Sequence, residues 1–201
     1  MKYGLTNASG NERKREIMFY IIRHGKTDWN ALYKLQGNTD IPLNDEGREM
    51  AAAAAEEYAG VHFDVCYSSP LVRARETAEI LLAGRDIPIC YDERLREVSF
   101  GAYEGTERVF EHPESPVYKF FKDMENYEAP TGAESFEELL GRAQSFLDER
   151  VLPFLGSENE PDILVVGHGA LNSAMITCAR GLPLKDFWNE GIPNCRLIRV
   201  L

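Results

Sequence analysis

The sequence predicts an α/β fold, a mainly parallel sheet covered on both faces by helices. Three observations predict it. Short apolar runs alternate with helix-like segments along the chain. Those runs are near-continuously apolar, as in strands buried on both faces, rather than alternating apolar and polar. The chain has 201 residues, 44% of them hydrophobic and 27% charged, which suits one domain with a sizeable core of its own. No run of ~18 apolar residues is present, so no spanning helix is expected.

The elements follow in order. Met18-Phe-Tyr-Ile-Ile22 reads as a buried strand, short and rich in β-formers. Asn44 is a helix cap, followed by Asp45 and Glu46 at the positive end of a helix that carries the alanine run Ala51–Ala55. Asp64–Ser68 is a second strand. Ser69 and Pro70 supply a cap and an N1 proline for a helix through about Leu82. Ile87–Tyr91 is a third strand. Between Phe100 and Gly132 the periodicity fades and prolines and aromatics accumulate, which predicts an insertion at about 102–132 with one or two short helices. Ser135-Phe-Glu-Glu138 is a capping box. It opens a helix whose buried face is Phe136, Leu139, Leu140, Ala143 and Leu147. Asp162–Val166 is a fourth strand, Ala170–Arg180 a helix and Cys195–Leu201 a last strand. Residues 18–201 thus form one domain, preceded by residues 1–17 as a flexible tail. That polar start lacks an apolar signal-peptide core, so the cytoplasm is the expected location.

Charge and cysteines narrow the function classes. With 22 Lys and Arg against 33 Asp and Glu the net charge is −11, and such a surface repels nucleic acid and anionic lipid. An anionic substrate could be held only where positive charge is concentrated locally. Cys66, Cys90, Cys178 and Cys195 form no CxxC pair and read as reduced, buried thiols, with neither a disulfide frame nor a zinc site.

In a parallel sheet, ligands bind beyond the carboxyl ends of the strands. The first strand runs into Arg23-His24-Gly25, the second into Ser68-Ser69-Pro70 and then Arg73, and the fourth into Gly167-His168-Gly169. Two of four histidines and at least two arginines therefore meet at one edge. Arginine forks match phosphate oxygens and keep their charge. A neutral imidazole with one bare nitrogen can attack phosphorus, and a second, protonated imidazole can stabilise the equatorial oxygens. The leaving alkoxide needs an acid, and Glu97, on the loop after the third strand, is the best-placed carboxylate, with Glu93 and Glu104 nearby. His62 and His112 read as structural or solvated, and Arg75 as a surface residue. A bland reading of Arg73 is a surface ion pair with Glu76.

These residues resemble the histidine phosphatase superfamily in its phosphoglycerate mutase-like branch. The resemblance rests on ordered motifs across about residues 18–200. They are Arg23-His24-Gly25-x-Thr27-x-x-Asn30, Gln36-Gly37, Ser68-Ser69-Pro70-Leu71-x-Arg73-Ala74, Leu95-x-Glu97-x-x-Phe100-Gly101, Glu134-Ser135 and Gly167-His168-Gly169. It implies a three-layer α/β/α sandwich and a phosphohistidine intermediate formed without metal or other cofactor. Carried over, His24 takes the phosphoryl group and Glu97 donates the proton, later acting as base. Arg23, Arg73, His168 and Gly169 hold the phosphate with help from Asn30, while Gln36 and Gly37 line the entrance for the rest of the substrate.

The family includes hydrolases and mutases. Mutases that resemble this chain carry basic residues, including paired arginines, in the insertion. Here residues 107–160 hold 13 acidic and 5 basic residues, and the insertion offers only Arg108, Lys119 and Lys122, none adjacent. The expectation is therefore a phosphomonoesterase acting on a small phosphorylated metabolite, ahead of a mutase or a non-catalytic phosphate-binding protein. The acid phosphatase branch, with RHG-x-R-x-P and a late His-Asp pair, does not match Thr27 and His168-Gly169. The insertion aromatics are expected to form a satellite core over the site; the alternative reading is that one or two of them, Tyr103 or Phe120, face substrate. The last strand ends at Leu201, where relatives often continue into a hairpin, so one sheet edge is expected to be open or used in a homodimer.

Overall fold

A computed structural model describes residues 18–157 and 160–201; the expected tail, residues 1–17, lies outside the described residues. Five strands form one sheet in the order β3-β2-β4-β1-β5. β1 (Phe19–Arg23), β2 (Val65–Ser68), β3 (Ile89–Tyr91) and β4 (Ile163–Gly167) are mutually parallel, while β5 (Leu197–Arg199) lies antiparallel against β1. β4 is the central strand and is buried at every position.

Two cores make this a three-layer sandwich. Phe19, Ile21, Ile163 and Val165 face one side, where α5 (Phe136–Arg150) and α6 (Gly169–Arg180) contribute Leu139, Phe146, Leu171 and Met175. Ile22, Cys66, Leu164 and Val166 face the other, against α2 (Asp45–Glu57) and α3 (Val72–Leu81). Successive side chains of one strand thus serve opposite layers, which is why β1 and β4 are apolar without alternation.

Local signals mostly act where expected. The Asn44 side chain accepts from Gly47 N, and the Ser135–Glu138 capping box is formed in both directions. Four expectations are corrected. The helix after β2 begins at Val72 with Leu71 as its cap, because the Ser69 hydroxyl instead accepts from Leu71 N in the preceding turn. On α5 the fifth buried apolar side chain is Phe146, with Leu140 only half-buried, because Phe146 packs edge-on against Tyr67 of β2. Cys90 is exposed because β3 is an edge strand, and Cys178, near the end of α6, is half-buried. The insertion aromatics do not form a satellite: Phe120, fully buried, stacks on Phe136 and belongs to the same core as β1 and β4. The insertion itself holds one short helix, α4 (Tyr118–Lys122), and three 3₁₀ turns. No helix among the described residues is long and apolar enough to cross a membrane.

The sheet register assembles the site. Arg23 pairs with Gly167, and His24 N donates to Gly167 O at 3.0 Å. The residues that follow β1 and β4, His24 and His168, therefore emerge side by side. Gly25 and Gly47 then let the post-β1 loop lie directly on the first turn of α2. A Cβ at Gly25 would sit 2.4 Å from Gly47 O, and one at Gly47 would sit 2.0 Å from Lys26 O.

Candidate active site

A cleft of about 610 Å³ opens at the carboxyl edge of the sheet. Arg23, His24, Arg73 and Glu97 form its floor, with Asn30, Gln36, Gly37 and Gly169 also in the wall. His168 is fully buried and is not part of the wall; its ring lies beside that of His24, centroids 5.1 Å apart.

His24 is oriented by two backbone-linked contacts. Its Nδ1 lies 2.6 Å from Gly25 O, and a carbonyl can only accept, so Nδ1 carries the hydrogen and Nε2 is bare. Its own carbonyl accepts from the Asn194 amide at 2.6 Å. Burial, and then the charges of Arg73 and Arg23, hold the His24 imidazole well below its ordinary pKa. His168 is lowered likewise, first by burial and then by Arg73, His24 and Arg23. Both rings are therefore neutral near pH 7 in this state, and His168 offers a single N–H.

Arg73 is fully buried rather than paired with Glu76, whose partner is Arg48. It donates from Nη1 to Thr39 O at 2.8 Å and from Nη2 to Gly37 O at 2.7 Å, fixing the loop that bears Gln36 and Gly37. Arg23 donates to Ile192 O at 3.0 Å. Burial lowers both guanidinium groups, Arg73 to about 10, which still leaves them charged at neutral pH. The Nε atoms of Arg23 and Arg73 and both ring nitrogens of His168 are buried without hydrogen-bond partners. Unpaired buried donors cost ~1–3 kcal/mol each, and the three among these atoms, the two Nε–H groups and the one N–H of a neutral His168 ring, suit a multiply accepting anion such as phosphate.

Glu97 is tied to the start of α6. Its Oε1 accepts from Val98 N (3.0 Å) and Leu171 N (3.1 Å), and its Oε2 from Ala170 N (3.2 Å). Since His168, the residue before α6, makes no side-chain cap, Glu97 supplies that function from another loop. Gly169 borders the same groups: a Cβ there would stand in ordinary contact with the Arg23 guanidinium carbon at 3.6 Å and Glu97 Oε2 at 3.7 Å. The loop carrying Glu97 is held from behind by Arg142, which donates to Arg94 O and Arg96 O and pairs with Glu134. Asn30 and Gln36 are turned toward Thr27: Asn30 Oδ1 accepts from Thr27 N, and Gln36 Oε1 from the Thr27 hydroxyl. Glu104, a rival to Glu97 in the sequence, instead accepts from Asn38 N, Thr39 N and Phe100 N and buttresses the Gly37 loop.

Several lining residues were not legible beforehand. Lys26, Tyr33, Lys34, Phe110, Phe121, Trp188 and Asn194 reach the cleft from five separate segments. Tyr103 and Phe120, the candidates for the alternative in which an insertion aromatic faces substrate, do not line it. Among the described residues, one grouping could share a cation, His62, Asp64 and Asp162. It lies before β2 and β4, at the sheet edge opposite the cleft, and Asp64 there accepts from His62 and from Asp162 N.

The lowered imidazoles have a consequence for stability. Below pH ~6.5 the unfolded chain protonates both histidines while the folded one does not, so the unfolded state binds more protons and stability drops as the pH is lowered. The expected loss is roughly 1 kcal/mol per pH unit for each imidazole. Urea unfolding at pH 7.5 and 5.5 checks it: His168→Asn should lose less stability than wild type over this interval, and an equal loss would refute the account.

The comparisons with known proteins agree with this geometry. A family model described as the histidine phosphatase superfamily (branch 1) matches residues 19–201. Phosphoserine phosphatase 1 of Hydrogenobacter thermophilus is 27% identical over 180 residues, 89% of this chain and 83% of its own. A protein of Escherichia coli named "Probable phosphoglycerate mutase GpmB" is 32% identical over 187 residues, 92% of this chain and 84% of the relative. The native structure of a mycobacterial glucosyl-3-phosphoglycerate phosphatase is similar with a TM-score of 0.79 at 28% identity, covering 92% of this chain and 90% of that one.

Proposed function

The chain belongs to branch 1 of the histidine phosphatase superfamily, and from that membership we propose that it is a metal-independent phosphomonoesterase acting on a small phosphorylated metabolite through phosphohistidine. The observation that carries this is the His24 ring, whose Nδ1–H is spent on Gly25 O so that Nε2 is available beside Arg23 and Arg73. In the first half-reaction Nε2 attacks phosphorus, the ester P–O bond breaks, and the electron pair leaves on the alcohol oxygen. Glu97 gives that oxygen a proton. Arg23, Arg73 and a ring nitrogen of His168 hold the equatorial oxygens as charge shifts onto them. In the second half-reaction Glu97 takes a proton from water, the oxygen attacks phosphorus, and the P–N bond returns its pair to Nε2.

Hydrolysis is favoured over mutase transfer by the state of the cations near the cleft. A mutase must hold a second anionic group, yet Lys26 is paired with Glu46 and Lys34 with Glu107 (3.5 Å). Arg108, Lys119 and Lys122 do not line the cleft.

Phosphate release from a panel of monoesters, run in EDTA, tests the reading. Wild type should release phosphate and carry an acid-labile, alkali-stable phosphoryl label. No release with conversion of 3- to 2-phosphoglycerate would favour the mutase, and neither would favour a binding protein. For the proton donor, Glu97→Gln should lower kcat/KM on alkyl phosphates by ~10²–10⁴ and on p-nitrophenyl phosphate far less, because nitrophenolate leaves unaided. Equal losses on both esters would move the role to another carboxylate.

A further inference from the structure

Part of the cleft wall is suited to an apolar group. The apolar side is Leu35, Phe100, Val109, Phe110, Phe121 and Trp188, drawn from five parts of the chain, with Lys26, Asn30 and Lys34 also lining the cleft. Phe121 is fixed between rings, stacked on Phe100 at 5.7 Å and on Trp188 at 5.8 Å. Trp188 spends its one polar atom on Phe120 O at 3.0 Å, so what it offers the cleft is apolar. Phe110 differs from its neighbours. It is half-buried, belongs to neither buried core and makes no ring contact with another described residue. A phenyl group that packs in no core yet lines a cleft is available to a ligand.

Several polar atoms around it are already engaged. Gln36 Oε1 and Asn30 Oδ1 accept from Thr27, and the Asn194 amide donates to His24 O. Lys26 and Lys34 each face a carboxylate of the protein, Glu46 and Glu107, whose charge offsets theirs and opposes that of a substrate carboxylate. On the basis of the phosphatase reading above, we propose that the substrate is the phosphomonoester of an apolar alcohol. It would bear an uncharged, ring-sized group that rests on Phe110, Phe121 and Trp188 and carry no carboxylate. The phosphate supplies the only charge recognised, at Arg23 and Arg73, and apolar contact supplies the specificity.

The test compares kcat/KM for 2-phenylethyl phosphate, O-phosphoserine and 3-phosphoglycerate. All three leave as primary alcohols, so the demand on the proton donor is similar and the remainder of the substrate decides. Wild type is expected to favour 2-phenylethyl phosphate by ~10-fold or more over both carboxylates, the order of effect of an apolar pocket contact. Phe110→Ala should shrink that ratio by ~10-fold, and Phe110→Leu, which keeps an apolar surface, should restore most of it. Equal or better hydrolysis of a carboxylate ester, or a ratio unmoved by Phe110→Ala, overturns the inference and leaves the phosphatase reading intact. Failure to hydrolyse any of the three, and p-nitrophenyl phosphate as well, defeats the phosphatase reading and this inference with it.

Discussion

Replacing His24 by alanine is expected to lower phosphatase turnover by ~10³-fold or more, in line with losses for removed catalytic nucleophiles. The size of the effect follows from how little else in the cleft could do the same work. His168 is placed beside His24 to hold phosphate oxygens and is not itself among the wall residues, and His62 and His112 are solvent-exposed and paired with Asp64 and Glu114. The variant leaves Arg23 and Arg73 in place, so it should still bind orthovanadate or phosphate while failing to take up a phosphoryl label. Steady-state kinetics and label trapping, run side by side, check both halves of the expectation. Turnover within tenfold of wild type would remove His24 from the mechanism.

Arg73→Met should damage activity and stability together. The apolar replacement has a similar reach but leaves the Gly37 and Thr39 carbonyls without their donor. Two orphaned acceptors of this kind are worth ~2–4 kcal/mol of folding stability. The same change removes a charged fork from the phosphate site, for which kcat/KM should fall by ~10²–10³. Arg73→Lys separates the two effects, because it keeps the charge but lacks the planar fork that bridges two carbonyls. It should retain part of the activity while losing much of the stability. Urea unfolding and kinetics on the purified variants decide, and an Arg73→Met protein with wild-type midpoint and rate would refute the role.

The helices and strands were legible where one local rule acted alone. The Ser135–Glu138 capping box and the Asn44 cap form as their side-chain chemistry dictates. Continuous apolar runs at β1 and β4 announced strands buried on both faces. Misplacements occurred where two rules competed. At Ser69-Pro70 the turn chemistry took the serine hydroxyl and delayed α3 to Val72. On α5 the helical period left Leu140 and Phe146 both near the edge of the buried stripe, and the ring contact with Tyr67 settled which was covered. Cys90 could not be placed from an apolar neighbourhood, because nothing local distinguishes an edge strand from a central one.

The site divides in the same way. His24, Arg23, Arg73, Glu97 and His168 were readable because short-range sequence motifs and strand ends mark them. Their chemistry also demands particular residue types, which a substitution would not preserve. What the sequence by itself determined is therefore the layered α/β architecture and the set of groups that could handle a phosphoryl group. Only the tertiary structure decided which nitrogen of His24 is bare, that His168 stands behind it, and that Glu97 is held by the first amides of α6. It alone also brought Phe110, Phe121 and Trp188 to one wall and turned Phe120 away from it. The reason is physical: a motif records residues that must be chemically specific, whereas a pocket wall requires only surface of the right polarity at the right place, and that place exists only once distant segments have packed.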